Sequence, residues 1–330
     1  MPLPIYFCIG GAFMLCYQTD LGGAYCGDSL TPIDELEDNS VDLVMTSPPF
    51  ALLKPMEYGN VPQNEYVEWF KQFAEKLLPK LKDTGSFVID IGNTYNKGEP
   101  TYSLYAFRTL IMLVDDLGYK LAQPFCWYNQ SKLPVPIEYV NKKKIRCKNA
   151  IDMVWWMSKT SNPKSDVTKV LNPYSKSMKK LFKNPEKFYR LALPKEKRLT
   201  THTNSWTNNN GGSIPSNCLI ISNSESNCKY LRTCRKAEIR PHPARFPSQL
   251  AEFFIKLVTD EGDLVIDIFA GSNTTGAASE QLNRRWRSFE LRREYVAASA
   301  FRFLGDDDDP KAVYNRIMKA KECGTDIPRF

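Results

Sequence analysis

The sequence predicts an α/β fold built on a mostly parallel sheet. Three observations lead to it. Continuously apolar runs of strand length alternate with segments whose apolar residues recur every three or four positions. Two of those runs end in tight loops, Thr46-Ser47-Pro48-Pro49-Phe50 and Asp267-Ile268-Phe269-Ala270-Gly271, placed where such sheets hold ligands. Finally, 330 residues with 42% hydrophobic and 12% aromatic content suffice for a large core and exclude disorder.

The elements follow in chain order. Leu3 to Tyr17 is largely apolar and uncharged, but lacks the Lys or Arg that opens a signal peptide. Broken by Gly10 and Gly11, it is also short for a membrane span, and residues 1–23 read as a packed or partly ordered N-terminal arm. Val41 to Thr46 is a buried strand closed by Pro-Pro. Tyr66, Trp69, Phe70, Phe73, Leu77 and Leu78 mark a helix, and Gly85 ends that unit. Ser86 to Ile91 is a strand, and Leu104 to Leu113 a helix closed by Gly118. Phe125 to Tyr128 and Ala150 to Met157 are later strands. Beyond about Asn162 the periodicity fades and Asn, Ser, Lys and Pro rise, with an Asn-Asn-Asn-Gly-Gly turn at 208–212. The alternation then resumes: helix Phe246 to Thr259, strand Leu264 to Phe269, helix Thr275 to Leu282, strand Trp286 to Leu291, helix Glu294 to Phe303. One α/β domain interrupted by a basic insertion is the simplest description.

Charge and cysteines narrow the setting. The net charge is +7, yet residues 132–198 hold eighteen Lys and Arg against five Asp and Glu, a local +13 that leaves −6 elsewhere. Such a segment suits a polyanion backbone, although many charge runs are only solvated surface. Nine irregularly spaced cysteines without a C-x-x-C pair, and two distant histidines, suit neither a disulfide framework nor a metal centre. Reduced thiols fit the cytoplasm, and no membrane association is expected.

The second loop continues as Gly271-Ser-Asn273-Thr274-Thr275-Gly276 and opens a helix. Its glycine spacing matches a P-loop, but Ala277 and Ala278 replace the required Lys and Ser/Thr, and G-x-G-x-x-G is absent. Glu290 lies 19 residues after Gly271 at the end of the next strand, where a carboxylate suits a ribose diol. An adenosine ligand without a pyrophosphate fits best, against an ordinary strand–turn–helix link. In the first loop, Pro-Pro removes two donors and leaves carbonyls, the Ser47 hydroxyl and the Phe50 ring to meet a flat base with an exocyclic amine. Alone, it reads more readily as a strand-ending turn, the commoner fate of Pro-Pro.

Together, the Thr46–Phe50 and Phe269–Gly276 motifs resemble those of the S-adenosylmethionine-dependent amino methyltransferases of DNA. Ser before Pro-Pro, with an aromatic after, is similar to the cytosine-N4 group. Adenine-N6 enzymes usually carry Asp or Asn there, and adenine-N6 methylation is the alternative. The motif order resembles the permuted β class. Gly27–Leu30, Gly85–Gly92, Ser131–Glu138, Val154–Thr160, Gly211–Pro215, Ile221–Asn227 and His242–Pro247 further resemble the PvuII type, so the likeness spans roughly Ala24 to Leu304.

The resemblance implies a circularly permuted, Rossmann-like fold with a mostly parallel seven-stranded sheet. It implies a catalytic domain at 24–161 and 241–304, a target-recognition region at 162–240 and a tail at 305–330. The expected catalytic residues are Ser47, Pro48, Pro49, Phe50 and Asp90, with Asp90 orienting Ser47 or receiving a proton indirectly, or else acting as a plain N-cap or turn residue. S-adenosylmethionine is the expected cofactor, with Asp28 at its adenine. Asp267, Phe269, Ala270, Gly271, Asn273, Thr274, Thr275 and Glu290 complete that site, and no metal is expected. His242 is read as bordering this pocket, and Trp155 and Trp156 as core. The expected partner is double-stranded DNA with the target base flipped out, methylated by a monomer alongside a cognate restriction endonuclease.

Overall fold

The computed structural model describes residues 13–54, 56, 59–184, 208–320 and 327–330. These form two units, one running to Lys164 and resuming at Asn217, the other Ser165–Ser216.

The first unit contains strands β1 (Phe13–Gln18), β2 (Gly22–Gly27), β3 (Val41–Thr46), β4 (Leu81–Ile91), β5 (Lys120–Tyr128), β6 (Ile151–Ser158), β7 (Cys218–Ile220), β8 (Leu264–Asp267) and β9 (Arg285–Glu290). They make one sheet in the order β1-β2-β9-β8-β3-β4-β6-β5-β7. β2, β9, β8, β3 and β4 pair in parallel, as do β5 and β7, while β1 and β6 run against their neighbours. The α/β class expected from the sequence holds, but the sheet has nine described strands rather than seven. The additions are at the margins. β1 forms a hairpin with β2, so residues 13–23 of the expected arm belong to the sheet, and three-residue β7 extends the β5 side. Residues 1–12 lie outside the described residues.

β3 is central, and all six of its residues are buried, as expected for a parallel strand covered on both faces. Around it pack α1 (Leu30–Asp34), α2 (Tyr66–Lys80) and α3 (Tyr105–Ile111), whose Ile33, Phe70, Phe73, Leu77 and Tyr105 share one core with Val44, Phe87, Ile89 and Ile266. Gly85 corrects the sequence reading: it sits inside β4 rather than ending a unit. A Cβ there would lie 2.9 Å from both the Val41 and Lys82 carbonyls, so the glycine permits a close backbone approach.

The remaining helices of this unit are α5 (Lys229–Ala237), α6 (Ser248–Val258), α7 (Thr274–Gln281), α8 (Arg293–Ser299) and α9 (Pro310–Lys319). The tail is not loose: Ile317 is buried beside Trp286 and Ala297. Part of its acidic run has local work, with Asp309 capping α9 through the Lys311 amide at 2.9 Å. Farther on, the Gln18 amide donates to Pro328 O at 3.1 Å and the Phe330 amide to Gln18 O at 3.0 Å.

The second unit holds α4 (Lys176–Lys183), capped by Ser175 Oγ accepting from the Met178 amide at 3.2 Å. Asn172 and Ser213 exchange two backbone hydrogen bonds of 2.9 Å, and a Cβ on Gly212 would sit 2.6 Å from Asn172 O. This unit is shorter than the 162–240 region expected from composition, because β7 and α5 lie in the first unit.

Candidate functional site

β3 and β8 are neighbours, so the loops leaving their carboxyl ends emerge side by side. Asp267 ties them together. Its Oδ1 accepts from Thr46 Oγ1 at 2.7 Å and the Phe269 amide at 3.1 Å, and its Oδ2 accepts from Thr275 Oγ1 at 2.7 Å. Burial nevertheless pushes its carboxyl up to about 6.

The β3 loop is held by its own chain: the Leu52 amide donates to Phe50 O at 2.7 Å, and Asn60 Nδ2 to Leu52 O at 2.8 Å. The Phe50 ring lies against Gly92, where a Cβ would be 2.3 Å from Phe50 Cε2. Tyr105 OH donates to Gly92 O behind it. On the neighbouring strand β4, Asp90 Oδ2 accepts from Ser47 Oγ at 3.1 Å. Asp90 Oδ1 is buried with no hydrogen-bond partner. Burial, helped by the Asp152 carboxylate, pushes Asp90 up to about 8, with the Ser47 bond and Lys132 pulling the other way.

The β8 loop turns through Gly271 at φ +52°, and the Gly271 amide donates to Glu290 Oε2 at 2.9 Å. Glu290 Oε1 accepts from the Arg292 amide at 2.9 Å, and burial pushes this carboxyl up to about 6. Trp69 and Phe73 pack on Phe269 with ring centres 5.5 and 4.9 Å away. A Cβ on Gly271 would approach His242 Cε1 to 3.1 Å. His242 is pushed down to about 4, chiefly by burial, so its ring is neutral at physiological pH.

A cavity of about 640 Å³ joins the two loops. Asp28, Ser47, Pro48, Pro49, Phe50, Asp90, Phe269, Ala270, Gly271, Thr274 and Glu290 all line it. Asp267, Asn273 and Thr275 are not in its wall. Asn273 caps α7 instead: its Oδ1 accepts from the Gly276 amide at 3.0 Å and Ser288 Oγ at 2.6 Å, while its Nδ2 donates to Tyr17 OH at 2.9 Å. His242 borders the cavity, and Trp155 and Trp156 are buried within the sheet.

Three contributors were missed by single-residue reading. Lys132 Nζ donates to both Asp152 oxygens at 2.7 Å, and both residues line the cavity beside Asp90. An aspartate inside the apolar run Ile151–Trp156 was the available signal, since a buried charge needs a partner. Arg302 braces the other loop, its Nε donating to Ser272 O at 2.6 Å and its NH2 to Thr274 Oγ1 at 2.9 Å. Nothing local in the sequence marks it.

The cavity therefore offers a half-buried carboxylate, an aromatic wall and a glycine turn at one end. At the other it offers a hydroxyl, a carbonyl and an unpartnered carboxyl oxygen. These features suit a nucleoside-bearing cofactor beside a flat amine-bearing ring, and known proteins give the class. The chain belongs to the N6/N4 DNA methylase family, whose model matches residues 41–301. It is similar to the Type II methyltransferase M.PvuII of Proteus hauseri, with 54% identity over 310 residues, 92% of this chain and 91% of that one. M.HpaI of Haemophilus parainfluenzae is 25% identical over 306 residues, 92% of this chain and 79% of that one. Among solved structures, the PvuII DNA methyltransferase (cytosine-N4-specific) matches with a TM-score of 0.77 and 46% identity, covering 96% of this chain and 97% of that one.

Proposed function

We propose that the protein methylates the exocyclic N4 amine of a cytosine flipped out of a specific duplex DNA sequence, using S-adenosylmethionine. The observation that carries this reading is the Ser47–Asp90 hydrogen bond in the same cavity as the Gly271–Glu290 loop. The donor set fits the cofactor: Glu290 would accept from the ribose hydroxyls, Asp28 would face the adenine, and Phe269 and Trp69 would supply its aromatic wall. When bound, the cofactor supplies an electrophilic sulfonium methyl. Asp267, Asn273 and Thr275 would hold this loop in shape from behind.

A cytosine amine is a weak nucleophile because its lone pair is delocalised into the ring. Ser47 Oγ and the Pro48 carbonyl would accept from the amine and favour a pyramidal nitrogen, while Pro49 keeps the loop rigid and Phe50 stacks on the base. Asp90 would orient Ser47 Oγ. With this carboxyl raised to about 8, Asp90 must be in its ionised form to take, at its unpartnered Oδ1, the proton that the amine sheds on transfer. Residues 162–240 would read the sequence, residues 24–161 and 241–304 would carry the chemistry, and the lysines of 132–198 would hold phosphates. A monomer suffices, since each strand of a short site can be treated in turn. The similarity to Type II methyltransferases supports a cytoplasmic restriction-modification role with an endonuclease acting on the same site. Among the described residues, no helix is long and apolar enough to cross a membrane.

Incubation with labelled cofactor and duplex DNA, followed by hydrolysis to nucleosides, tests the reading. N4-methylcytosine is expected, and 5-methylcytosine or N6-methyladenine would overturn the base assignment. Ser47→Ala should lower turnover by about 100-fold with cofactor affinity unchanged, as for loss of one transition-state hydrogen-bonding group. An equal loss of both would remove Ser47 from the proposed chemistry.

A further inference from the structure

Among the described residues, the connection between β5 and β6 presents apolar side chains to solvent. Leu133 is 72% exposed, Ile137 57% and Val135 41%. Single exposed aliphatics are ordinary, but three within five residues of one connection are a local concentration. The connection is not a loose loop. Asn129 Oδ1 accepts from Ser131 Oγ at 2.8 Å, and Lys132 is clamped by Asp152 at 2.7 Å. Asn141 Nδ2 donates to Pro134 O at 3.1 Å. Tyr139 packs on Tyr95 with ring centres 5.6 Å apart, and Arg146 Nε donates to Pro100 O at 3.0 Å.

Two further observations point to the occupant. Lys132 lines the cavity, so Leu133 stands one peptide, about 3.8 Å between Cα atoms, from the wall of the base site. The same connection then carries Lys142, Lys143, Lys144, Arg146 and Lys148 against Glu138 alone over residues 133–148. Exposed aliphatic side chains on a hydrogen-bonded, basic mount beside the Ser47 end of the cavity match what a duplex offers when one base leaves its stack. That gap has apolar faces above and below and phosphates at its rim.

We propose that this connection enters the DNA at the target, with Leu133 filling the space vacated by the flipped base and Ile137 packing beside it. The proposal rests on the DNA-methyltransferase reading and adds the residue that keeps the base out. Filling the gap offsets part of the cost of unstacking and unpairing, so Leu133 matters most when the target is paired.

The experiment compares wild type, Leu133→Ala and Ile137→Ala on two duplexes carrying the site that wild type methylates, whichever base that is. In one duplex the target is paired. In the other it faces an abasic position. Leu133→Ala should turn over the paired duplex about tenfold or more slowly, and come within about twofold of wild type on the abasic duplex, with Ile137→Ala intermediate. A fluorescent base next to the target should brighten on binding wild type and stay quenched with Leu133→Ala on the paired duplex. Equal turnover of the paired duplex, or equal loss on both, overturns the wedge. An unexpected methylated base overturns only the cytosine assignment, and absence of methylation on either duplex overturns both readings.

Discussion

Asp90 is the residue whose environment departs furthest from that of a free carboxylate in the base site. Its folded value of about 8 stands above the unfolded value, so its contribution to stability is fully present below about pH 4. It is lost as pH rises toward and through 8. Asp267 and Glu290, both near 6, add losses of the same sign over a lower window. Asp90→Asn cannot ionise, so its unfolding free energy should gain on wild type between about pH 4 and 8. Urea unfolding at pH 5.5 and 8.5 checks this, and parallel curves would refute it. At Gly92, an alanine Cβ would meet Phe50 Cε2 at 2.3 Å and displace the ring. Gly92→Ala should slow turnover by about 10- to 100-fold with cofactor affinity held, as calorimetry beside steady-state rates would show. Ser47, Phe50, Gly271 and Glu290 were legible because each sits within a motif whose spacing has a physical reason. Lys132, Asp152 and Arg302 were not, because their partners lie across strands or at distant turns that no local pattern reports.

At the level of elements, one carboxylate joins β3, β8 and α7 through two hydroxyls and an amide. Thr275→Val keeps the shape but leaves Asp267 Oδ2 without that donor. Stability should fall by about 1–3 kcal/mol, and the Asp267 carboxyl should move further up. Thermal melts of this variant and of Thr46→Val, with the double variant closing a cycle, measure how strongly the two hydroxyls couple. Central strands were easy to read because burial on both faces makes them continuously apolar. β5 was only half visible: Lys120 to Pro124 is exposed and includes a proline, so apolarity began only at Phe125. β1 was hidden in an apolar stretch with no polar alternation to mark a strand.

For the whole molecule, the small net charge of +7 conceals a +13 segment against a −6 remainder. DNA affinity should therefore fall steeply with salt, by about a thousandfold between 50 and 200 mM if some six phosphates are held. Equilibrium binding across that range tests it, and a flat dependence would disconnect the basic segment from DNA. Composition and packing divide this part of the chain differently. Polarity rises over all of 162–240, whereas packing separates only Ser165–Ser216, because Leu219, Tyr230 and Cys234 are buried in the first unit despite their polar neighbours.

The backbone exchange between Gln18 and Pro328–Phe330 bears on how molecules meet one another. An outer strand with free amides and carbonyls is a template for a strand of a second molecule, and this sheet has two outer strands. At β1, the Phe330 stretch occupies the Gln18 end of that row, and its ring packs on Tyr17 at 5.8 Å. At the opposite margin, β7 presents only three residues. The β7 rim is thus short, and the β1 rim is closed at its Gln18 end. These few bonds at the seam leave a second molecule fewer free backbone groups on which to begin a fibril.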